Sequence, residues 1–437
     1  MKHLRTSFAI AGIATALLAS QAPAQPYCPE LLNASALEKK YQRLAPIFSS
    51  KDTGWIFTSD QLDENYGLKQ EAKALLTKIV AEFTAAGVPM AIMIAPPRPV
   101  VAGQQVVDAT LGEDGAFSVD DAATSFAKML DDVRATGAVV PNLLEVATRN
   151  PDAFYFQRDT HWTNTGAALS ANALSAALEL GTQVEMDMLA TVEMKDERGS
   201  LSDIVDAVCG TRDAGEASPV FDYASLSGGD LLGDATATGK KVALLGTSFS
   251  DRYKRDQYQV ADALTQALSA DVENFSVSGG GLIGPIEAYV LSGALNRKDH
   301  DLVVWEFPYT ESLNSTSALR QLLGALRMSR GSDSTVRPLT LNSKAQARID
   351  LTLDEQRDLI LFENLPNSVK AIAVDVRFSD DRKKTIKLRR KASVIARYKV
   401  KDWAVALGHL GAKPMSSITL RFEKSQAGNP IALRLGS

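Results

Sequence analysis

KKVALLGTSFS, Lys240 to Ser250, runs an apolar stretch, Val242–Leu245, straight into a turn at Gly246-Thr247-Ser248. A short unbroken apolar run bounded by a glycine turn fits a strand buried on both faces, which belongs to a parallel sheet covered by helices. Its neighbours repeat the pattern. MAIMIAPP (90–97), VENFSVSGGG (272–281) and DLVVWEF (301–307) read as strands, as does the start of AVVPNLLEV (138–146). Between them lie stretches of helical period. In 68–83 that period places Ala72, Leu75, Leu76, Ile79, Val80 and Phe83 on one face. Stretches 120–137, 164–180 and 258–269 also read as helices. This alternation over 30–330 predicts an α/β fold with a parallel sheet sandwiched by helices, and sites at the carboxyl ends of its strands.

The pattern changes at RMSRGSDSTVRP (327–338), a polar stretch that reads as a linker. Beyond it, ARIDLTL, AIAVDVRF, TIKLRRK, ARYKVKDWAV and SSITLRFE alternate with a period near two, which predicts an antiparallel all-β sandwich. Charge divides at the same place. Residues 336–437 hold 20 Lys and Arg against 10 Asp and Glu, so the remainder carries −15 of the overall −5. A basic module on an acidic body suits a polyanionic partner.

At the other end, residues 1–24 have the pattern of a secretory signal. A charged start with Lys2 and Arg5 precedes FAIAGIATALLAS and a small-residue cleavage site, Ala22-Pro23-Ala24. Export, an oxidising setting and only two cysteines predict a Cys28–Cys209 disulfide, with two buried thiols as the alternative. Export also argues against nucleic acid as the polyanion.

Histidine is the natural general base near neutral pH, and the chain has four. His3 leaves with the signal, His300 stands in a polar loop, and His409 has no carboxylate near it in sequence. His161 remains, in FQRDTHWTNTG (156–166), with Asp159 two residues earlier to orient its ring and Thr163 or Asn164 to cap the next helix. A His and Asp that merely satisfy each other would look the same at this spacing. Trp162 could shield the site or pack in the core. Ser248, on its turn after a buried strand, is the candidate nucleophile, although a plain strand-to-loop turn reads alike and Ser250 replaces the second glycine of the usual elbow. Gly280 in the Ser278–Gly281 turn could admit an acyl group, and Arg98 after an early strand could hold an anionic substrate. Histidine and cysteine are too scarce for an ordinary zinc set, so no metal is expected. No cofactor is expected either.

In VIARYKVKDW, a strand reading puts Arg397, Lys399, Lys401 and Trp403 on one face, and TIKLRRK does the same with Lys387, Arg389 and Lys391. Cations beside an aromatic plate suit a carboxylated sugar polymer; a solvated basic face is the alternative.

Asp159-Thr160-His161-Trp162, Gly246-Thr247-Ser248 after its strand, GWIF (54–57) and VVWEFP (303–308) together resemble the periplasmic alginate O-acetyltransferase family, the AlgX/AlgJ proteins. The resemblance implies an SGNH-hydrolase-like catalytic domain over 25–330, with acid and base preceding the serine. The β-rich 336–437 is then a carbohydrate-binding module of the AlgX type. It implies Ser248 as nucleophile, His161 as base and Asp159 as its partner. It also implies an acidic, alginate-like polysaccharide as acceptor in the periplasm, and as partners a membrane-bound O-acyltransferase supplying acetyl together with other export-complex proteins. The same triad would serve an acetylesterase, and a non-catalytic polysaccharide-binding scaffold is the third reading.

Overall fold

The computed structural model of the chain describes residues 27–50, 53–110, 117–226, 239–252, 255–331, 334–352, 356–411 and 413–436. The expected signal, 1–24, lies outside them. A short antiparallel pair, β1 (Ile47–Ser49) and β2 (Ile56–Thr58), comes first, then β3 (Met90–Ala95). An exposed ribbon of β4 (Thr191–Glu197) and β5 (Glu216–Phe221) precedes β6 (Lys241–Leu245), β7 (Asp271–Asn274) and β8 (Leu302–Pro308).

The main sheet has the order β3-β8-β6-β7, every neighbour parallel. Parallel pairing brings the carboxyl ends of β3, β6 and β8 to one edge, where the turn after β6 presents Ser248. Helices pack around the sheet in a single apolar core, and the helix Gln70–Ala85 buries the six residues its period picked out. The alternation read from the sequence is therefore the α/β sheet observed.

The C-terminal region adds β9 (Ser334–Thr340), β10 (Gln346–Asp350), β11 (Leu359–Phe362), β12 (Ala371–Phe378), β13 (Lys383–Arg389), β14 (Trp403–Ala406), β15 (Met415–Arg421) and β16 (Pro430–Gly436). They form two antiparallel sheets, β10-β15-β12-β13 and β14-β11-β16-β9, with a common core that includes Phe362, Val374, Leu388 and Leu433.

Two expectations need correction. The stretch 327–338 is no free linker: the helix Thr316–Ser329 runs through its start and β9 takes up its end. That helix is held against the module. Met328 packs on Leu359, Leu361 and Ala404, and a Cβ on Gly324 would stand 2.5 Å from the Val405 nitrogen.

VIARYKVKDW is also not one strand. Ala392–Tyr398 is a helix, Lys399 ends it at φ 53°, and β14 begins only at Trp403. Val394 and Tyr398, one helical turn apart, pack with Val277 and Ala288 of the α/β region, and that burial decides the local structure. Arg397, Lys399, Lys401 and Trp403 consequently share no face. Trp403 is buried with the Arg390 guanidinium 4.1 Å over its ring, so it offers no plate to a sugar. Lys387 and Arg389 do lie together on the exposed face of β13.

The two regions meet through buried charge as well as apolar contact. Arg390, in the module, makes a two-pronged ion pair with Glu287 of the helix Gly284–Leu291, at 2.8 and 3.0 Å. Gln321 donates to the same carboxylate. Such a pair adds little net stability over an apolar contact but fixes one docking geometry, since any other leaves a buried charge unpaired. Cys28 and Cys209 are joined in a disulfide. It ties the far end of the helix Ser200–Cys209 to the N-terminal segment. Among the described residues no helix is long and apolar enough to cross a membrane.

Candidate active site

Asp159, His161 and Ser248 meet. His161 Nε2 lies 2.8 Å from Ser248 Oγ, and His161 Nδ1 lies 2.5 Å from Asp159 Oδ1. Residues that are 87 apart in sequence are thus joined in one proton-sharing line.

Asp159 is fully buried and saturated with donors. Besides the ring, Oδ1 takes the His161 N–H at 2.9 Å. Oδ2 takes the Ser200 N–H at 2.5 Å, and the Arg252 guanidinium stands 2.8 Å from it. Ser200 is the first residue of the helix that ends at Cys209, so the positive end of that helix faces the carboxylate. Burial alone would raise the Asp159 carboxyl. The attraction of His161, then of Arg252, and the Ser200 N–H outweigh it and hold it well below the usual carboxylate range. An ionised Asp159 keeps the Nδ1 proton between them, leaving Nε2 free to accept from Ser248.

The two halves of the relay are also clamped together from behind. Trp162, fully buried, donates from Nε1 to the Phe249 carbonyl at 3.0 Å, and the His161 ring packs against Phe249 and Tyr258. Trp162 thus packs in the core and ties the loop of His161 to the turn of Ser248.

Backbone amides around Ser248 can be accounted for one by one. Gly246 N–H donates to Ser276 Oγ and Thr247 N–H to the Glu306 carboxylate; those of Ser250 and Asp251 go to the Thr247 carbonyl. The Phe249 N–H reaches Thr247 Oγ1 at 3.4 Å. The Ser248 N–H has no hydrogen-bond partner among the described residues, which leaves it available to an oxyanion forming beside Oγ. Ser248 opens onto a cleft of about 410 Å³ whose walls include Thr160, Ser200, Gly279, Gly281 and Tyr309.

The profile of the family described as "SGNH hydrolase-like domain, acetyltransferase AlgX" matches residues 50–309, more than half the chain. The chain belongs to the AlgX family. Among curated relatives, the alginate biosynthesis protein AlgX of Azotobacter vinelandii is 26% identical over 372 residues, 81% of this chain and 72% of that protein. A probable alginate O-acetylase, AlgJ of Pseudomonas aeruginosa, is 25% identical over 283 residues, 58% of this chain and 68% of that protein. The solved structure of AlgX from Pseudomonas aeruginosa superposes with a TM-score of 0.68, at 19% identity, over 94% of this chain and 99% of that one. The parallel sheet flanked by helices and the C-terminal antiparallel sheets are therefore the AlgX fold.

In this family member two further sequence expectations are corrected. Arg98 is fully buried and holds no exchangeable anion. Its guanidinium donates to the carbonyls of Phe156 (3.0 Å), Ile56 (2.6 Å) and Gln157, and lies over the rings of Trp55 and Phe57. It clamps the segment ahead of Asp159 to the GWIF segment. Arg98→Met is expected to cost about 2–5 kcal/mol by orphaning three carbonyls, read as a lower denaturant midpoint. Gly280 does not line the cleft: its N–H closes the turn on the Val277 carbonyl at 2.8 Å. Its neighbours Gly279 and Gly281 do.

The module also reaches the site. Asp251, in the turn that carries Ser248, accepts the Ser278 N–H at 3.0 Å and the Arg397 guanidinium at 3.2 Å, while Ser393 donates to the Gly279 carbonyl. The helix Ala392–Tyr398 thereby braces both turns that frame Ser248. Arg397 is a brace here rather than part of a polymer-binding strand face.

Proposed function

We propose that this protein is an O-acetyltransferase that carries acetyl on Ser248 and passes it to a hydroxyl of an acidic, alginate-like polysaccharide. The observation that carries the reading is the Asp159–His161–Ser248 line ending at an open cleft. In the first half-reaction Ser248 Oγ attacks the carbonyl carbon of an acetyl donor as its proton passes to His161 Nε2. The charge that develops on the carbonyl oxygen is met by the Ser248 N–H. Collapse breaks the bond to the donor oxygen, which leaves with the proton from His161, and acetyl remains as a serine ester. In the second half a sugar hydroxyl gives its proton to His161 and attacks the ester carbonyl. Collapse then returns Ser248 to its hydroxyl form with the proton from His161. Asp159 stays ionised throughout and stabilises the imidazolium.

The kinship with alginate biosynthesis proteins supports a polysaccharide acceptor. The reading places the reaction in the periplasm, with a membrane-bound O-acyltransferase of an export complex as acetyl source. For the acceptor, the cations come from a sheet face rather than from 397–403. Arg348, Arg377, Lys383 and Arg421, with Thr385 and Thr419, line a hollow of about 410 Å³ on β10-β15-β12-β13, and Lys387 and Arg389 extend the same exposed face along β13. Asp375 pairs with Arg421 within it. A double variant, Arg377→Glu with Lys383→Glu, is expected to raise the KM for an acidic oligosaccharide about tenfold at low salt, and less as salt screens the face. A KM indifferent to both changes moves the docking face elsewhere.

The function is tested with purified protein, an activated acetyl ester such as p-nitrophenyl acetate, and mannuronate oligomers. Acetylated sugar formed at the expense of free acetate supports transfer. Acetate release that ignores the sugar makes the protein an esterase. No turnover, with no labelling of Ser248 by a sulfonyl fluoride, leaves a scaffold.

A further inference from the structure

Glu306 has no place in the relay, yet it is one of the most enclosed carboxylates in the molecule. It sits in β8 between Trp305 and Phe307, fully buried, and among the described residues no Lys, Arg or His forms an ion pair with it. Burying a carboxylate without a cation is unfavourable, and burial pushes Glu306 up to about 7. Apolar residues fill every other position from Val303 to Pro308. A leucine would satisfy the sheet better.

All of its hydrogen-bond partners belong to one feature. Oε2 accepts the Thr247 N–H at 2.8 Å and the Ser250 hydroxyl at 3.0 Å; Oε1 accepts the Thr247 hydroxyl at 3.1 Å. Thr247 and Ser250 flank the nucleophile on either side. The fit is close enough to dictate Gly246, where a Cβ would stand 2.4 Å from Glu306 Oε2 and 2.8 Å from Ser276 Oγ.

From this geometry we infer that Glu306 is a positioning residue for the nucleophile turn, holding the Thr247 peptide so that the Ser248 N–H is left unpaired for the oxyanion. Three groups from one short turn converge on its two oxygens, and a carboxylate is the side chain that can accept from all three at once. Thr247 is the hub. Its N–H and hydroxyl bind Glu306 while its carbonyl gathers the Ser250 and Asp251 amides. The Ser248 N–H lies in one peptide plane with the Thr247 carbonyl, so a shift of Thr247 that turns this carbonyl turns the Ser248 N–H with it. The effect belongs to the transition state, where negative charge appears, rather than to ground-state binding. The inference rests on Ser248 being the nucleophile, as proposed above.

The test uses the full chain and p-nitrophenyl acetate, with active sites counted by sulfonyl fluoride labelling. Glu306→Gln keeps the shape but turns one acceptor into a donor. It is expected to lower kcat about tenfold to a hundredfold per active site with KM nearly unchanged, the scale of a small misplacement of reacting groups. Ser250→Ala removes one donor from the same carboxylate and is expected to lower kcat about threefold to tenfold. The double variant is expected to lose scarcely more than Glu306→Gln alone, because both act through one turn. Ser248→Ala, measured alongside, reports on the nucleophile independently. If Glu306→Gln does not fold, Ser250→Ala and its rate of labelling by the sulfonyl fluoride carry the test. Variants with kcat and labelling rate per active site within about twofold of wild type, or with independent additive losses, overturn the inference.

Discussion

Ser248→Ala is expected to abolish acetyl transfer and ester hydrolysis together, with kcat falling by at least about three orders of magnitude while the fold persists. The loss is so large because, among the described residues, Ser248 Oγ is the hydroxyl held on Nε2, while Nδ1, which Thr160 Oγ1 also approaches at 3.2 Å, is committed to Asp159. Without the covalent ester, His161 could at best help water or sugar attack the donor directly. That path lacks the attacking atom already held at hydrogen-bond distance from its base. Stability should hardly change, since a serine hydroxyl at a cleft wall leaves no buried partner unsatisfied other than the imidazole nitrogen, which solvent in the cleft can reach. Mass spectrometry gives the second half of the test. Wild-type protein mixed with the activated ester should gain one acetyl group on Ser248, and mannuronate oligomers should discharge it. The Ala variant should gain none at that position. Full activity in Ser248→Ala would remove the turn after β6 from the mechanism.

Much of this was legible in the sequence, for reasons that can be named. The apolar run of β6 ends at a glycine turn, and a strand buried on both faces cannot be written with polar residues. DTHW stands out because histidine is scarce, so elimination reaches His161 quickly. What escaped the sequence depends on partners invisible along the chain. Arg98 follows two prolines at a strand's end and reads as an anion ligand, yet backbone carbonyls from two distant segments accept its hydrogen bonds. The cationic run Arg397–Lys401 mimics a strand because basic residues alternate there, but contacts of Val394 and Tyr398 with another part of the molecule select a helix. Arg252 looks like a polar loop residue until Asp159 is placed beside it. Glu306 did carry a signal: one acid inside an otherwise apolar strand has to be explained by donors aimed at it.

Asp159→Asn is the second large expected effect, and it separates catalysis from stability. Aspartate here accepts on both oxygens, from His161 Nδ1 and N–H on one side and from Ser200 N–H and Arg252 on the other. An amide must turn its NH2 toward one of those donor sets. Facing His161, it drives the proton to Nε2 and destroys the acceptor for Ser248, so kcat should fall about 10⁴-fold. Facing Ser200 and Arg252, it leaves a buried guanidinium short of its counter-charge, at a cost of about 3–5 kcal/mol. The pH dependence follows from the same contacts. Asp159 is held below the carboxyl value of the unfolded chain, about 3.9. A depressed folded-state carboxyl stabilises fully above the unfolded value, and that contribution fades only as pH falls through the folded one. Wild type should therefore exceed Asp159→Asn in denaturant stability from neutral pH down to about 5, and the gap should close only in stronger acid. A gap that instead narrows near neutral pH would show Asp159 protonating there, and a carboxyl that protonates near neutrality cannot hold the imidazolium through the two half-reactions.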